Sequence, residues 1–218
     1  MKMIDLHTHQ GFEPSIIQIR NILAQNLKDQ ELNSTFSTGL HPWDLDGLDL
    51  DECMASIEEV LDNKNLLAIG ECGLDRVITV DFAVQLEYFR KQILIAERIC
   101  KPLIIHCVRA YPDLIQIKKS IKTQIPWIIH GYNGNQENLN ALIRHDFYFS
   151  VGYYFIDDSK KREVMKQIPI DRLFLETDIS EFPIDEVYKL ASEVLGIDID
   201  LLTHNLENNF NRIFAFNY

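Results

Sequence analysis

The chain has seven histidines: His7, His9, His41, His106, His130, His145 and His204. Five of these, all but His145 and His204, fall at the end of a β-like segment or in the turn just after it. One histidine in such a place is commonly a satisfied polar core residue. Five at the C-terminal ends of strands mark the face where a barrel builds an active site. In Asp5-Leu6-His7-Thr8-His9, residues two apart point to one side of extended chain. His7 and His9 can therefore face one cation, and Asp5, on the same side, can orient an imidazole. By itself an H-x-H pair is weak, since it also occurs on solvated strands.

Carboxylates end two further segments. Glu71 follows Leu66–Gly70 in Gly70-Glu71-Cys72-Gly73-Leu74-Asp75. The flanking glycines let backbone or ligand approach closely. A glutamate there can simply cap the next helix, but at a histidine-bearing rim it reads as a ligand whose two oxygens can bridge two cations. His106 ends Leu103-Ile104-Ile105 and His130 ends Trp127-Ile128-Ile129. Asp178 closes Leu173-Phe174-Leu175-Glu176-Thr177-Asp178. Glu176 and Asp178 face the same way. Asp178, nearer the rim, is taken as the metal-side carboxylate and Glu176 as a supporting or structural group. Four histidines and two acids give nitrogen and oxygen donors with no thiolate. That set suits Zn²⁺, Mn²⁺, Fe²⁺, Co²⁺ or Mg²⁺ without choosing among them. Six ligands are too many for one catalytic ion with an open position. They suit two ions sharing a carboxylate, an arrangement used for hydrolysis by metal-bound hydroxide.

The elements that position these residues alternate. The β-like segments are Lys2–Leu6, Thr35–Leu40, Leu66–Gly70, Leu103–Cys107, Trp127–His130, Phe147–Val151 and Leu173–Glu176. Most are continuous apolar runs, as expected of parallel strands covered on both faces. Helical spacing predicts helices over Glu13–Leu27 (Ile16, Ile19, Leu23, Leu27), Asp51–Asp62, Asp81–Cys100, Tyr111–Ile121, Gln136–His145, Asp157–Gln167, Ile184–Leu195 and Ile199–Phe214. Seven β-then-α units point to a compact (β/α) TIM-type barrel, with an eighth strand short or missing after Glu176. A doubly wound open sheet is the rival, weakened because no G-x-G-x-x-G or P-loop follows the first strand. No Pro/Gly/Ser linker interrupts residues 1–218, so a single domain is expected.

Composition narrows the class further. A 46% apolar and 25% charged chain is an ordinary globular protein, not a disordered or fibrous one. The net charge, 21 − 33 = −12, argues against wrapping long nucleic acid or lying on an anionic membrane. It leaves room for a short substrate held through bound cations. The first residues carry Asp and His, against a signal peptide. The longest nearly apolar stretch, Pro102 to Val108, is broken by His106 and too short to span a bilayer. Cys53, Cys72, Cys100 and Cys107 form no C-x-x-C pair and read as free thiols of a cytoplasmic protein. No obligate protein partner is evident.

Taken together, these blocks resemble the TatD family of metal-dependent deoxyribonucleases, within the amidohydrolase-type barrels. The resemblance runs in order through DLHTH at 5–9, GLHPW at 39–43, GECGLD at 70–75, Gln85, KPLIIHC at 101–107, HGYNG at 130–134 and ETD at 176–178. The end of the chain, with Asn208, Asn209, Asn211 and Phe214, also fits. The resemblance implies one metal on His7, His9, Glu71 and Asp178, and a second on Glu71, His106 and His130. It makes Asp178 and Glu71 the catalytic carboxylates, with Asp178 also accepting a proton from the attacking water. It places His41 on the substrate side, near the phosphate. The implied activity is hydrolysis of DNA phosphodiesters, often from an end, so DNA ends or short single strands are the expected substrate.

Three departures fall on substrate-reading parts. Val108 stands where the family usually has an arginine, with Arg109 one residue later. Arg76 replaces an aromatic after GLD and can supply a cation. After ETD, Ile179-Ser180-Glu181-Phe182-Pro183 runs almost directly into a helix, where the family usually has a longer Pro-rich segment. His41, Arg76 and Arg109 are the expected substrate contacts. A barrel metallohydrolase cleaving an amide or ester is the alternative, and an inactive metal- or partner-binding barrel is a second. The complete ligand set counts against the latter.

Overall fold

The computed structural model describes residues 1–11 and 13–214. Its strands are β1 (Ile4–Thr8), β2 (Ile17–Leu23), β3 (Phe36–Gly39), β4 (Leu66–Asp75), β5 (Leu103–Val108), β6 (Trp127–Ile129), β7 (Phe147–Val151) and β8 (Leu173–Leu175). The α-helices are α1 (Leu50–Glu59), α2 (Phe82–Arg98), α3 (Tyr111–Ile121), α4 (Gln136–Ile143), α5 (Tyr153–Asp157), α6 (Ser159–Met165), α7 (Ile184–Leu195) and α8 (Ile199–Phe214). Strand order in the sheet is sequence order, β1 through β8. The chain divides into two compact units, Arg20–Ile128, and Met1–Ile19 with Ile129–Tyr218.

Within Arg20–Ile128, β2, β3, β4 and β5 pair in parallel, with Asn21 opposite Ser37, Thr38 opposite Ile69 and Gly73 opposite His106. The Leu103 N–H then donates to the Pro126 carbonyl at 2.9 Å. All ten residues of β4 are buried. Helix α2 starts at Asp81, whose carboxylate accepts the Ala83 N–H, satisfying an orphan donor of the first turn. It buries Phe89, Ile93 and Ala96, and Phe89 meets Trp127 edge-on at 5.6 Å. Two glycines let β4 run close to β5. At Gly70 (φ +145°) an added Cβ would overlap the Ile104 carbonyl oxygen. At Gly73 (φ +149°) it would overlap the carbonyl oxygen of His106.

In the other unit β7 and β8 pair in parallel, Val151 opposite Leu175. A parallel bridge joins Thr8 to Asp178. The Ile17 N–H donates to the Met3 carbonyl at 2.9 Å, starting β2 beside β1. Helix α7 buries Ile184, Val187, Tyr188 and Ala191, spaced along one helical face. Burying each large apolar chain contributes about 1.5–3 kcal/mol. The Tyr188 hydroxyl accepts the Ile4 N–H at 2.9 Å and donates to the Ile4 carbonyl at 3.2 Å, fixing α7 on β1. On α8, the Asn209 amide donates to the carbonyls of Ile170 (2.7 Å) and Leu173 (3.1 Å).

Three elements differ from the sequence reading. Glu13–Leu27 is not a helix: it holds β2 and a short 3-10 turn, Ala24–Asp29. The spacing of Ile16, Ile19, Leu23 and Leu27 is helical, but it is not what decides the segment. Ile16, Ile17, Ile19 and Ile22 are β-branched, and β3 supplies the ladder partner that makes a strand win. The eighth strand is thus present, near the start of the chain. Glu71 lies inside a strand and not after one, because β4 continues to Asp75. The helix expected over Asp157–Gln167 is α6 (Ser159–Met165), and a short helix the sequence reading did not contain, α5 (Tyr153–Asp157), precedes it across Asp158. Extended there (ψ 115°), Asp158 accepts the Lys160 N–H with its side chain.

Candidate metal centre

In the Met1–Ile19 and Ile129–Tyr218 unit, β1 carries His7, His9 follows directly after its last residue, and the end of β8 leads to Asp178. The His7 and His9 Nε2 atoms lie 3.7 and 3.6 Å from Asp178 Oδ1. Asp178 holds φ at +52°, a left-handed conformation that costs a non-glycine residue free energy and persists where surroundings impose it. Here the imposing contacts are backbone bonds: Asp178 N–H to the His7 carbonyl (2.9 Å) and His9 N–H to the Asp178 carbonyl (3.2 Å). One ligand atom from each of the three residues falls within 4.8 Å of the others. Ligands about 2.1 Å from one tetrahedral ion stand about 3.4 Å apart. The donors and their separations therefore fit a divalent cation.

Buried groups brace this cluster. Asp5 does not orient an imidazole as expected. Its carboxylate accepts the Thr177 N–H (2.9 Å) and hydroxyl (2.7 Å), which fixes the residue before Asp178. Burial pushes the Asp5 carboxyl up to about 7, against the opposing pull of those Thr177 bonds. His130 lies beside His7, ring centroids 4.2 Å apart, with Nδ1 3.6 Å from Glu176 Oε1. That oxygen also accepts the Gly131 N–H. Burial raises the Glu176 carboxyl, but His130, His7 and Ser150 outweigh it and hold the group below the usual range.

Within Arg20–Ile128 a second cluster gathers His41, Glu71 and His106, again with ligand atoms inside 4.8 Å of one another. Glu71 Oε1 is 3.0 Å from His41 Nε2 and 3.2 Å from His106 Nδ1. These spacings also match neighbouring ligands on one ion. Asn21, on β2, clamps the glutamate: its Oδ1 accepts the Glu71 N–H at 3.0 Å and its amide donates to Oε2 at 3.2 Å. Asp75, at the end of β4, accepts the Trp43 indole N–H at 2.7 Å with Oδ2, which also lies 3.2 Å from His106 Nε2. A carboxylate on the far nitrogen is the usual way a ligating imidazole is oriented. Burial raises the Asp75 carboxyl, but Trp43, Val77 and His106 together bring it below its ordinary value. Gln85 pins Asp75 through both backbone groups, at 2.8 and 3.0 Å.

The expected ligands thus fall in two places: His7, His9, Asp178 and His130 in one unit, and Glu71 and His106 in the other. His41, expected on the substrate side, touches Glu71. Its Nδ1 accepts the Trp43 N–H at 3.2 Å, which leaves Nε2 to donate to the carboxylate. Arg76 is engaged by Asp113 through two bonds of 2.9 and 2.7 Å and lies 3.9 Å over the Phe82 ring. Arg109 is exposed after β5, at φ +52°. Asn21, Asp75 and Trp43 were not singled out from the sequence. The last two closed blocks already noted, GECGLD and GLHPW, which was the available signal.

Parallel strands in sequence order, with histidines and carboxylates at or near their ends, define a framework of candidate metal-ligand clusters. The family model described as TatD related DNase matches residues 11–215, and the chain belongs to that family. It is 36% identical over 145 residues to the uncharacterized metal-dependent hydrolase YabD of Bacillus subtilis, covering 64% of this chain and 56% of that one. It is 29% identical over 147 residues to the 3'-5' ssDNA/RNA exonuclease TatD of Edwardsiella piscicida, covering 65% of this chain and 56% of that one. The matches thus span little more than half the length of these two relatives. The crystal structure of YJJV, a TatD homologue from Escherichia coli, superposes with a TM-score of 0.83 at 22% identity, covering 99% of this chain and 98% of that one. The fold is therefore a compact (β/α) TIM-type barrel. Among the described residues, no helix is long and apolar enough to cross a membrane.

Proposed function

We propose that this chain is a divalent-metal-dependent phosphodiesterase that trims DNA or short single strands from an end, as one metallohydrolase domain over residues 1–218. The observation that carries the reading is the pair of His/carboxylate clusters, His7–His9–Asp178 and His41–Glu71–His106, in a TatD-family chain. In this proposal two ions would be bound per chain, one on His7, His9, Glu71 and Asp178 and the other on Glu71, His106 and His130, as the sequence resemblance implies. Bound divalent cations supply positive charge at the phosphoryl oxygens and acidify a water. Asp178, partly exposed, accepts the proton of that water at Oδ. Asn21 and His41 keep Glu71 oriented, and Asp75 does the same for His106. Arg109 is the favoured phosphate contact, since Arg76 is already bound to Asp113. Free Cys53, Cys72, Cys100 and Cys107 support a reducing, cytoplasmic setting.

The test is a hydrolysis panel with bis-p-nitrophenyl phosphate, oligonucleotides and N-acyl substrates. It is run on chelator-stripped protein and again after adding Mn²⁺, Zn²⁺, Co²⁺ or Mg²⁺. Stripping is expected to abolish phosphodiester cleavage and one or more of these ions to restore it. Full activity in stripped protein would end the metal reading, and cleavage confined to N-acyl substrates would make the protein an amidohydrolase.

A further inference from the structure

A cavity of about 510 Å³ opens beside Asp178 within the Met1–Ile19 and Ile129–Tyr218 unit. Its wall is built from the turn after β7 and the segment after β8, and includes Tyr153, Tyr154, Lys161, Asp178 and Ile179. Three features of this wall are unusual for a solvated rim. Tyr154 and Ile179 are 64% and 80% exposed, although both are large and apolar. Tyr153 is stacked on Phe182 behind it, ring centroids 3.7 Å apart and 12° from parallel, and Tyr154 stands edge-on to both. The aromatic surface is therefore rigid before anything binds. The Lys161 ammonium is tied to the wall by the Asn133 carbonyl at 2.8 Å, which fixes one cation at the edge of the aromatic face.

We propose that this cavity is a nucleobase subsite. The base of the nucleotide next to the scissile phosphate lies on Tyr154, with Ile179 against its edge and Lys161 facing the neighbouring phosphate. This rests on the proposed phosphodiesterase reading, because the cavity is contiguous with Asp178, and whatever fills it must be joined to the group reacting there. Charge argues for the same occupant. At a net charge of −12 the chain has no long-range attraction for a polyanion. Stacking on an aromatic face is uncharged, tolerant of base identity and strong enough to hold a short strand end. A lipid tail or an apolar peptide would press hydrocarbon against the Lys161 ammonium and the Asp178 carboxylate, where a nucleotide presents polar groups to both.

The experiment compares a short single-stranded oligonucleotide with the same strand bearing abasic nucleotides at both ends. Binding is read by fluorescence anisotropy and cleavage by gel, on metal-reconstituted wild type, Tyr154→Ala and Tyr154→Phe. Tyr154 is exposed, so the variants should keep the wild-type Tm. Tyr154→Ala is expected to bind the ordinary strand at least about fivefold more weakly, the low end of what base stacking contributes. Its affinity for the abasic strand should match wild type, and Tyr154→Phe should behave as wild type on both. If Tyr154→Ala still prefers the ordinary strand by the wild-type factor, or wild type shows no preference, the subsite is refuted while the phosphodiesterase reading stands. If wild type neither binds nor cleaves the ordinary strand, both fall together.

Discussion

Gly73 links the backbone of this fold to its chemistry, and replacing it with alanine tests that link. It sits opposite His106 in the β4–β5 ladder, two residues after Glu71. A Cβ at Gly73 would overlap the His106 carbonyl oxygen and lie 2.9 Å from its carbon and 3.0 Å from the His106 nitrogen. Carbon contacts normally stay near 3.5–4.0 Å, so strand β5 must retreat by at least about 0.5 Å. The obstructing atoms are backbone and cannot rotate away. Two costs add. Holding alanine at φ +149° costs about 1–3 kcal/mol. Forcing extra volume into a packed ladder costs about 1–3 kcal/mol more. The total of about 2–6 kcal/mol is a large part of the 5–15 kcal/mol typical of a whole domain.

Gly196→Ala is the matched control. Gly196 ends α7 in the left-handed conformation (φ +67°) with no heavy atom within 4 Å of an added Cβ. It carries the conformational cost alone, about 1–2 kcal/mol. For a chain of this size each kcal/mol moves Tm by about 2–4 °C. Gly73→Ala should therefore lower Tm by about 10 °C and Gly196→Ala by about 4 °C, by differential scanning calorimetry. Metal titration adds the functional half. A shifted His106 should weaken divalent-cation binding in Gly73→Ala and leave it unchanged in Gly196→Ala. Equal Tm losses in the two variants, with equal metal affinity, would show that β4 and β5 are not as close as this packing requires.

Three further outcomes are expected. Asp178→Asn should cut phosphodiester turnover by at least about 10²-fold, the low end of general-base loss, with little change in metal content by elemental analysis; wild-type turnover would refute its role as proton acceptor. Glu71→Gln should lower metal content and rate together, and a variant with full metal occupancy would remove Glu71 from the ligand set. Oligonucleotide affinity of Asp178→Asn should fall only gently with salt. Two or three phosphates at about 0.7 each give a slope near −1.5 to −2, and a slope steeper than about −5 would reveal an extended basic track.

The parts of this molecule visible in its sequence are those where one short segment carries its own reason. Leu103–Ile105 and Trp127–Ile129 read as buried parallel strands because each is a continuous apolar run, and each stops at a histidine. The same logic put Asp178 at the end of β8. Side-chain partners were less visible, because they are chosen by tertiary contact. Asp5 shares a face with His7 in an isolated strand, but Thr177, more than 170 positions away, supplies two donors to its carboxylate and takes it out of that role. Arg76 looked available to a substrate until Asp113, on α3, came within reach. The exposed aromatic wall at Tyr153 and Tyr154 was hidden for a related reason, since α5 is too short for a helical period to register.

The misreading of Glu13–Leu27 had a second consequence for the site. As a helix, that segment would turn its residues through 100° steps and leave Asn21 as one more polar position on a solvated face. As strand β2, it pairs with β3, which in turn pairs with β4, so Asn21 is carried along two ladders to the Glu71 backbone. The missing strand and the missing carboxylate clamp are therefore one error. The apolar residues at 16, 19, 23 and 27 follow a helical period, and the deciding information lay in the run of β-branched isoleucines at 16, 17, 19 and 22 and in the ladder partner β3 supplies. A barrel read with seven strands leaves one strand to find. Asking which segment can fill that gap would have found β2, and with it the residue that fixes the orientation of Glu71.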